Sequence, residues 1–219
     1  MSGLKVHTAP SIEPTTDAET IAYLRTDTGV DTTLIQNLVI AAREWVELYL
    51  NRSLINTTYQ LFLDTVPEID TPMKSGFYTA PYKVYLNNFI ELPKPPVSSI
   101  THVKYYDDAD SATTWATSNY YSDLITEPAR IVLKDGGSWP TDLRNANGLE
   151  VQYVAGYGSS RSDIPEPIRM AVLQYVAHLY EHRGDTEAKS VEPPAMIKSL
   201  LQPYKIMRYG GVSSFGRHY

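Results

Sequence analysis

The sequence predicts an α+β fold, a small bundle of about four helices with an antiparallel β region inserted between the second and third helices. Helical patterns lie towards both ends of the 219-residue chain. Between them, short segments of alternating apolar residues are separated by turn residues, which is typical of antiparallel strands. We therefore expect residues 1–53 and 159–203 to form the helical part, 54–158 the β region and 204–219 a C-terminal tail.

The first two helices are predicted from their capping residues and their apolar spacing. Residues 1–14 are extended and interrupted by prolines, and Thr16 and Glu19 then fit a capping box that opens a short helix to about Arg25. Asp31 is expected to cap a longer helix through about Leu50. Its packing seam is expected to comprise five residues at alternating steps of four and three: Leu34, Leu38, Ala41, Trp45 and Leu48.

The middle of the chain reads as strands with one unusual interruption. Strands are predicted at 57–64, 89–92, 100–106, 113–116, 129–134 and 149–155. The polar, proline-bearing segment 67–88 is too long for an ordinary connection. We expect it to be a protruding loop or a hairpin that contacts another molecule.

The segment 164–182 carries the most strongly helical pattern in the chain. Pro165 and Pro167 fit the first turn, where proline is tolerated. From 168 to 180 only Arg169, Gln174 and His178 are strongly polar, so the helix is apolar nearly all round. Such a helix must be enclosed by its own chain or by a neighbouring subunit, and we expect burial shared between copies.

A last short helix and a basic tail complete the chain. The helix follows the proline pair at 193–194 and ends at Pro203, with four residues on its buried side: Met196, Ile197, Leu200 and Leu201. The tail 204–219 holds three glycines among aromatic residues, and we expect it to order on binding.

Composition limits the possible functions. No Asp or Glu follows Glu192, whereas four basic residues do, which leaves 15 basic against 25 acidic residues elsewhere, a body of net charge −10. Such a body disfavours a reader of nucleic-acid sequence, and the basic tail suits an acidic partner. The absence of cysteine excludes disulfides, thiolate zinc sites and a cysteine nucleophile. No signal peptide or membrane span is visible, so we expect a protein that is cytosolic or is assembled in a cytosol, without a membrane partner.

The abundance of tyrosine has two explanations. There are 17 Tyr residues against 4 Phe. Tyr suits a surface that becomes an interface, and it also suits an ordinary β-rich surface. The sequence leaves both explanations open.

One motif suggests an alternative, enzymatic function. His178, Glu181 and His182 match H-x-x-E-H, in which two imidazoles on one helix face bind zinc and the glutamate is the general base. A third ligand is required, and Glu187 and Glu192 lie in a loop rather than on a second helix. Histidines at the C-terminal end of a helix also interact favourably with its dipole without a metal. A zinc-dependent hydrolase is therefore the alternative, but we expect no enzyme and no cofactor.

Two further motifs predict turns rather than ligand sites. Gly156 and Gly158 follow a strand, but Arg161 stands where a dinucleotide fingerprint needs its third glycine, so a tight turn is favoured. The loop with Asp107, Asp108 and Asp110 lacks the glycine and the distal glutamate of a calcium-binding loop, so an acidic hairpin turn is favoured. A monomeric binding module whose β region holds a ligand remains a third possibility.

Several stretches, taken in order, resemble one known family. They are SIEPTTDAET, AAREWVELYLNRSLI, LPKPPVSSITHVKYYDDAD, GGSWP, VQYVAGYG, IPEPIRMAVLQYVAHLYEHRGD and LLQPYKI. Together they are similar to the head–tail adaptor (connector) proteins of long-tailed bacteriophages and phage-like gene transfer particles. The likeness covers about three quarters of the chain.

The resemblance implies a structural role in the neck of a virion that is assembled in the host cytoplasm. Copies would form a ring, usually of twelve, that joins the portal protein to a stopper or tail completion protein. Double-stranded DNA would pass through the lumen without sequence-specific binding. By position, the portal-docking residues would be Tyr204, Arg208, Tyr209, Phe215, Arg217 and Tyr219.

Overall fold

Four α-helices and antiparallel sheets make up the part of the chain that the structure, a computed structural model, describes. This part comprises residues 2–27, 29, 31–66, 73–74, 77–78, 89–183 and 193–206. The mixed helix-and-sheet class predicted from the sequence is confirmed at this level. The helices are α1 (Asp17–Leu24), α2 (Thr32–Leu50), α3 (Glu166–Glu181) and α4 (Ala195–Leu201), with 3₁₀ turns at Thr117–Asn119, Arg161–Asp163 and Gln202–Tyr204.

The strands form two larger sheets and one hairpin. They are β1 (Ser2–Thr8), β2 (Thr57–Leu63), β3 (Met73–Lys74), β4 (Phe77–Tyr78), β5 (Phe89–Glu91), β6 (Val97–Tyr106), β7 (Ala112–Thr114), β8 (Tyr120–Asp123), β9 (Arg130–Leu133) and β10 (Leu149–Ala155). The main sheet has the order β1-β2-β10-β6-β7, and the second sheet the order β5-β9-β8. The strands β3 and β4 pair within the segment 67–88, whose other residues lie outside the described part.

Two strands were not predicted from the sequence: β8, and β1 at the edge of the main sheet. Strand β1 lies beside β2. Its residues pair antiparallel with β2, so that Leu4 lies opposite Leu61 and Val6 opposite Tyr59. Directly opposed residues point to the same side of a sheet, and Leu61 and Tyr59 belong to the β core. Leu4 and Val6 nevertheless remain exposed at this edge of the sheet.

Strand β10 lies at the centre of the main sheet and shows the alternation expected of a half-buried strand. Val151 and Tyr153 point into the β core, whereas Glu150 and Gln152 lie on the outer face with polar neighbours. The core continues into the second sheet through Ile131 of β9 and through Tyr120 of β8, whose ring stacks on that of Trp115 at 4.9 Å.

The helices share a second core. Its fully buried members on α2 and α3 are Ala42, Val46, Leu50, Ile168, Ala171, Val172 and Val176. The helix α3 packs against α1, α2 and α4. No helix among the described residues has the length and apolar character needed to cross a membrane.

The helix starts agree with the sequence in one case and differ in the other. At α1 the capping box is confirmed: the Glu19 amide donates to Thr16 Oγ1 at 3.0 Å, and the Thr16 amide donates to Glu19 Oε2 at 2.8 Å. Asp31 occupies the N-cap of α2, but its side chain makes no capping bond. Its Oδ2 instead accepts from Tyr180 Oη at 2.9 Å and from Arg183 Nη1 at 3.0 Å. Asp31 therefore ties the start of α2 to the end of α3.

Candidate docking surfaces

The apolar helix α3 is covered by its own chain. Ile168, Ala171, Val172 and Val176 have no solvent exposure, and no residue from 167 to 180 is exposed. The neighbouring helices α1, α2 and α4 bury these four residues, so their burial does not depend on another copy, and contact between copies at the half-buried residues of α3 stays a prediction.

The H-x-x-E-H residues lie at the C-terminal end of α3. The rings of His178 and His182 are 4.4 Å apart between centroids. His182 Nδ1 lies 2.8 Å from the carbonyl oxygen of His178, which only accepts hydrogen bonds, so Nδ1 carries the proton. Burial, followed by the nearby His182, lowers the pKa of His178.

No metal site is assembled around these histidines within the described residues. Nowhere in that part of the chain do three His, Cys, Asp or Glu side chains gather in a geometry that would hold a metal ion. Glu187 and Glu192, the candidate third ligands, lie outside the described residues. Glu181 is exposed. A zinc-dependent hydrolase gains no support from this geometry.

The acidic residues near position 108 stabilise a hairpin turn, as predicted. Asp107 Oδ1 accepts from the amides of Ala109 at 3.0 Å and Ser111 at 2.8 Å. Arg144 Nη1 donates to Asp110 Oδ1 at 2.8 Å. These carboxylates are therefore used in shaping the turn between β6 and β7.

Gly156 forms part of a tight bend where the β region meets the helices. Its φ is +141°, and a Cβ there would lie 2.4 Å from the carbonyl carbon of Ile55. The Gly156 amide donates to the carbonyl of Pro96 at 2.8 Å, and the Tyr157 amide donates to that of Leu54 at 3.2 Å. A glycine is required here for backbone approach, which agrees with the predicted tight turn.

Residues 202–206 are bound to the C-terminal end of α2. Arg52 Nε donates to the carbonyl oxygen of Tyr204 at 2.6 Å, and the Ile206 amide donates to that of Leu50 at 3.2 Å. Tyr204 also packs against the helical core. Tyr204 is the only predicted docking residue within the described part, and it belongs to the body. The other five, Arg208, Tyr209, Phe215, Arg217 and Tyr219, lie outside the described residues.

Aromatic rings continue from this junction along α2. Lys205 Nζ lies 4.2 Å from the centroid of the Tyr49 ring, and Tyr49 stacks on Trp45 at 5.2 Å. Trp45 also contacts Tyr175 of α3 at 4.9 Å. The sequence analysis missed this set because its members belong to segments about 150 residues apart.

The predicted packing seam of α2 is displaced from the observed one. The helix buries Ile35, Val39, Ala42, Val46 and Leu50. The predicted residues form a neighbouring line, which we call the outer α2 stripe: Leu34, Leu38, Ala41, Trp45 and Leu48. Leu38 and Trp45 are partly covered by the helical core, whereas Ala41 is exposed and Leu48 is 73% exposed. The outer α2 stripe is thus an apolar surface without a full cover among the described residues.

The buried side of α2 also holds charged groups. Arg43 Nε donates to Glu13 Oε2 at 2.8 Å, and Arg43 Nη1 to Glu47 Oε2 at 3.0 Å. Glu47 Oε1 accepts from the Leu54 amide at 2.8 Å. Burial raises the pKa of Glu47, although Leu54 and Arg43 oppose that change. These contacts join the chain before α1 to α2 and to the segment that follows it.

Comparison with known proteins gives structural neighbours. No protein-family model matches the chain, and no curated protein matches its sequence. A chain in the neck of an empty gene transfer agent (GTA) particle, determined with C6 symmetry, is 23% identical with a TM-score of 0.74. That match covers 96% of this chain and 98% of the other.

Two further solved structures give the same result. A chain in the virion of a native GTA particle is 21% identical, with a TM-score of 0.74 over 95% of this chain and 98% of that one. A chain in the neck of a native GTA particle, determined with C12 symmetry, is 21% identical, with a TM-score of 0.68 over 96% and 98%. The chain therefore shares its fold with chains of GTA neck and virion structures, which agrees with the family resemblance found in the sequence.

Proposed function

We propose that this protein is the ring-forming adaptor subunit of a virion neck, where it joins the portal protein to a stopper or tail completion protein. The proposal rests on one observation: the fold matches chains from GTA particle necks over nearly the full length of both chains. One of those necks was determined with C12 symmetry and another with C6 symmetry. A dodecameric ring is the simplest assembly compatible with both symmetries.

The electrostatics of the chain suit this role. Outside its basic C-terminal part, the chain carries a net charge of −10. A lumen lined by such subunits would repel DNA phosphates, and passage through it would not require the release of many ionic contacts. Double-stranded DNA would therefore pass through the ring without sequence-specific binding.

The portal would be held by the end of the chain. The proposed anchors combine guanidinium groups, from Arg208 and Arg217, with the aromatic side chains of Tyr209, Phe215 and Tyr219. Arginine and aromatic residues are enriched at the energetic centres of protein interfaces. Tyr204 would have a supporting role, because its carbonyl and ring already bind the body.

The test is binding to portal particles by chains truncated after Ile206. This end point retains the Arg52 contact with Tyr204 and the Ile206 contact with Leu50, so that the body stays intact. We expect the full chain to sediment with portal particles as a ring and the truncated chain to remain in the supernatant. A full-length control with Arg208 and Arg217 changed to Lys retains the charge but removes bidentate binding, and we expect it to bind more weakly.

Two results would count against the proposal. Undiminished binding by the truncated chain would disprove the assigned docking segment. The adaptor role itself would be contradicted if the full chain bound to no portal particles. The particles for this test come from phage-like systems and are prepared without their own adaptor.

A further inference from the structure

We propose that residues 207–219 bind the outer α2 stripe of the same chain when the subunit is free. The surface is apolar, lies on one side of a 19-residue helix and remains partly uncovered among the described residues. The occupant that we assign to it is the remaining C-terminal segment of this polypeptide.

The point where the described chain ends favours this occupant. Ile206 is hydrogen-bonded to Leu50, the last residue of α2. Lys205 lies over the Tyr49 ring, which stacks on Trp45 of the stripe. The next residue of the chain therefore starts beside one end of the surface and does not need to cross the molecule to reach it.

The length of the segment is sufficient. Thirteen residues follow Ile206, and an extended chain of that length spans about 43 Å. Leu34 and Leu48, the ends of the stripe, are separated by about 21 Å at 1.5 Å per helical residue. The segment can cover the whole stripe even with the irregular path that Gly210 and Gly211 allow.

The side chains of the segment match those of the surface. It contains five apolar or aromatic residues: Met207, Tyr209, Val212, Phe215 and Tyr219. Leu48 offers the largest uncovered apolar area on α2. Glu44, whose side chain is 68% exposed and lies 3.7 Å from Arg43 Nη2, has carboxylate surface left for an ionic contact with Arg208 or Arg217. Apolar cover and charge attraction would therefore act together.

Portal docking and cover of the outer α2 stripe would compete for residues 207–219, a step that rests on the proposed function. The same segment cannot hold the portal and cover α2 at once. Docking would uncover the outer α2 stripe at the moment when neighbouring subunits are brought together on the portal. Free subunits would thereby be kept from self-association.

The experiment measures thiol reactivity in the isolated protein, which contains no natural cysteine. Leu48→Cys and Ala41→Cys place a thiol on the stripe. Ile125→Cys, at a position 94% exposed after β8, is the matched control. We expect removal of residues 207–219 to speed the reaction of the two stripe thiols with a soluble disulfide reagent by about tenfold, as for a surface that is covered nine-tenths of the time. The Ile125→Cys rate should stay unchanged.

Two additional measurements identify the occupant. The protection should be independent of protein concentration, because it is intramolecular, and an excess of a synthetic peptide of residues 207–219 should restore it to the truncated chain. Equal stripe reactivity with and without the segment would overturn the proposal. Protection that disappears on dilution would also overturn it, since the occupant would then be a second copy. No portal is present, so these results are independent of the portal-binding test.

Discussion

The helices α2 and α3 have similar lengths but opposite relations to the rest of the molecule. The sequence of α3 is apolar nearly all round, yet three neighbouring helices cover it and none of its residues between 167 and 180 is exposed. The helix α2 is conventionally two-faced, yet it exposes Leu48 and buries Arg43 and Glu47. The composition of a helix thus indicates how much apolar surface must be buried, but the tertiary packing determines which part of the protein covers that surface.

This difference matters for where the protein binds its partners. The buried residues of α3 contribute stability and are not available to another molecule. A helix with one face in the core and an apolar line beside that face can serve both purposes. We therefore expect substitutions on α3 and on the charged inner side of α2 to change stability, and substitutions on the outer α2 stripe to change association.

The largest effect is expected from Arg43→Met on the inner side of α2. This change leaves Glu47, whose side chain is 12% exposed, without its cation, and breaking one side of a buried ion pair costs about 3–5 kcal/mol. Burial already raises the pKa of Glu47 above its usual 4.5, and loss of Arg43 should raise it further. The measurement is urea unfolding of the variant and wild type at several pH values.

The direction of the pH effect follows from linkage. A carboxyl whose folded-state pKa is raised binds its proton more tightly in the folded state, so stability falls as pH rises through the window above 4.5. The deficit of Arg43→Met should therefore be smaller near pH 4.5 than at pH 8. A loss of unfolding free energy that does not depend on pH would show that the unpaired carboxylate of Glu47 is not its cause.

The second prediction compares one residue of each helix directly. Ile168 on α3 has no solvent exposure, so Ile168→Ala should lower the free energy of unfolding by about 2–5 kcal/mol. Leu48→Ala on α2, compared with its parent in chains that both end at Ile206, should change it by no more than about 0.5 kcal/mol, because the segment proposed to cover Leu48 is then absent. Both values come from denaturant titration of the isolated protein. A loss of more than 1 kcal/mol for Leu48→Ala in the chain that ends at Ile206 would show that residues other than 207–219 cover the outer α2 stripe in a way that matters for folding.

Much of the fold was accessible from local sequence signals. The capping box at Thr16, the strand alternation of β10 and the proline-led start of α3 each reflect interactions within a few residues, which a pattern records well. Strand β1 was missed because its alternation rests on only two apolar residues, Leu4 and Val6, and because its structure depends on pairing with the distant strand β2. The α2 seam was displaced because two apolar lines lie side by side on that helix and the sequence does not say which one faces α3.

The candidate surface was less predictable than the fold. Tyr49 and Lys205 are separated by more than 150 residues in the sequence. They meet because the C-terminal segment returns to the end of α2, where the Ile206 amide donates to the carbonyl of Leu50. The H-x-x-E-H pattern shows the converse, since its spacing is local and complete but the described residues supply no third ligand. A local motif is therefore weak evidence for a site that depends on distant parts of the chain.

A smaller loss of stability than for Arg43→Met or Ile168→Ala is expected at a second buried carboxylate, Glu150 in the main sheet, whose pKa is shifted in the direction opposite to that of Glu47. Burial would raise the pKa of Glu150, but hydrogen bonds from Tyr106 Oη at 2.6 Å and His102 Nε2 at 3.0 Å hold it below its usual 4.5. A lowered folded-state pKa gives stability that is present above pH 4.5 and is lost as the pH falls below that value.

Glu150→Gln should therefore lower the free energy of unfolding by about 1 kcal/mol at pH 7, and the difference from wild type should shrink between pH 4.5 and 3. The stability loss of Arg43→Met should change above pH 4.5, whereas that of Glu150→Gln should change below it. The same urea titrations therefore distinguish a carboxyl whose pKa is raised by burial from one whose pKa is lowered by hydrogen-bond donors. A Glu150→Gln deficit that stays constant down to pH 3 would mean that these hydrogen bonds do not favour the charged form.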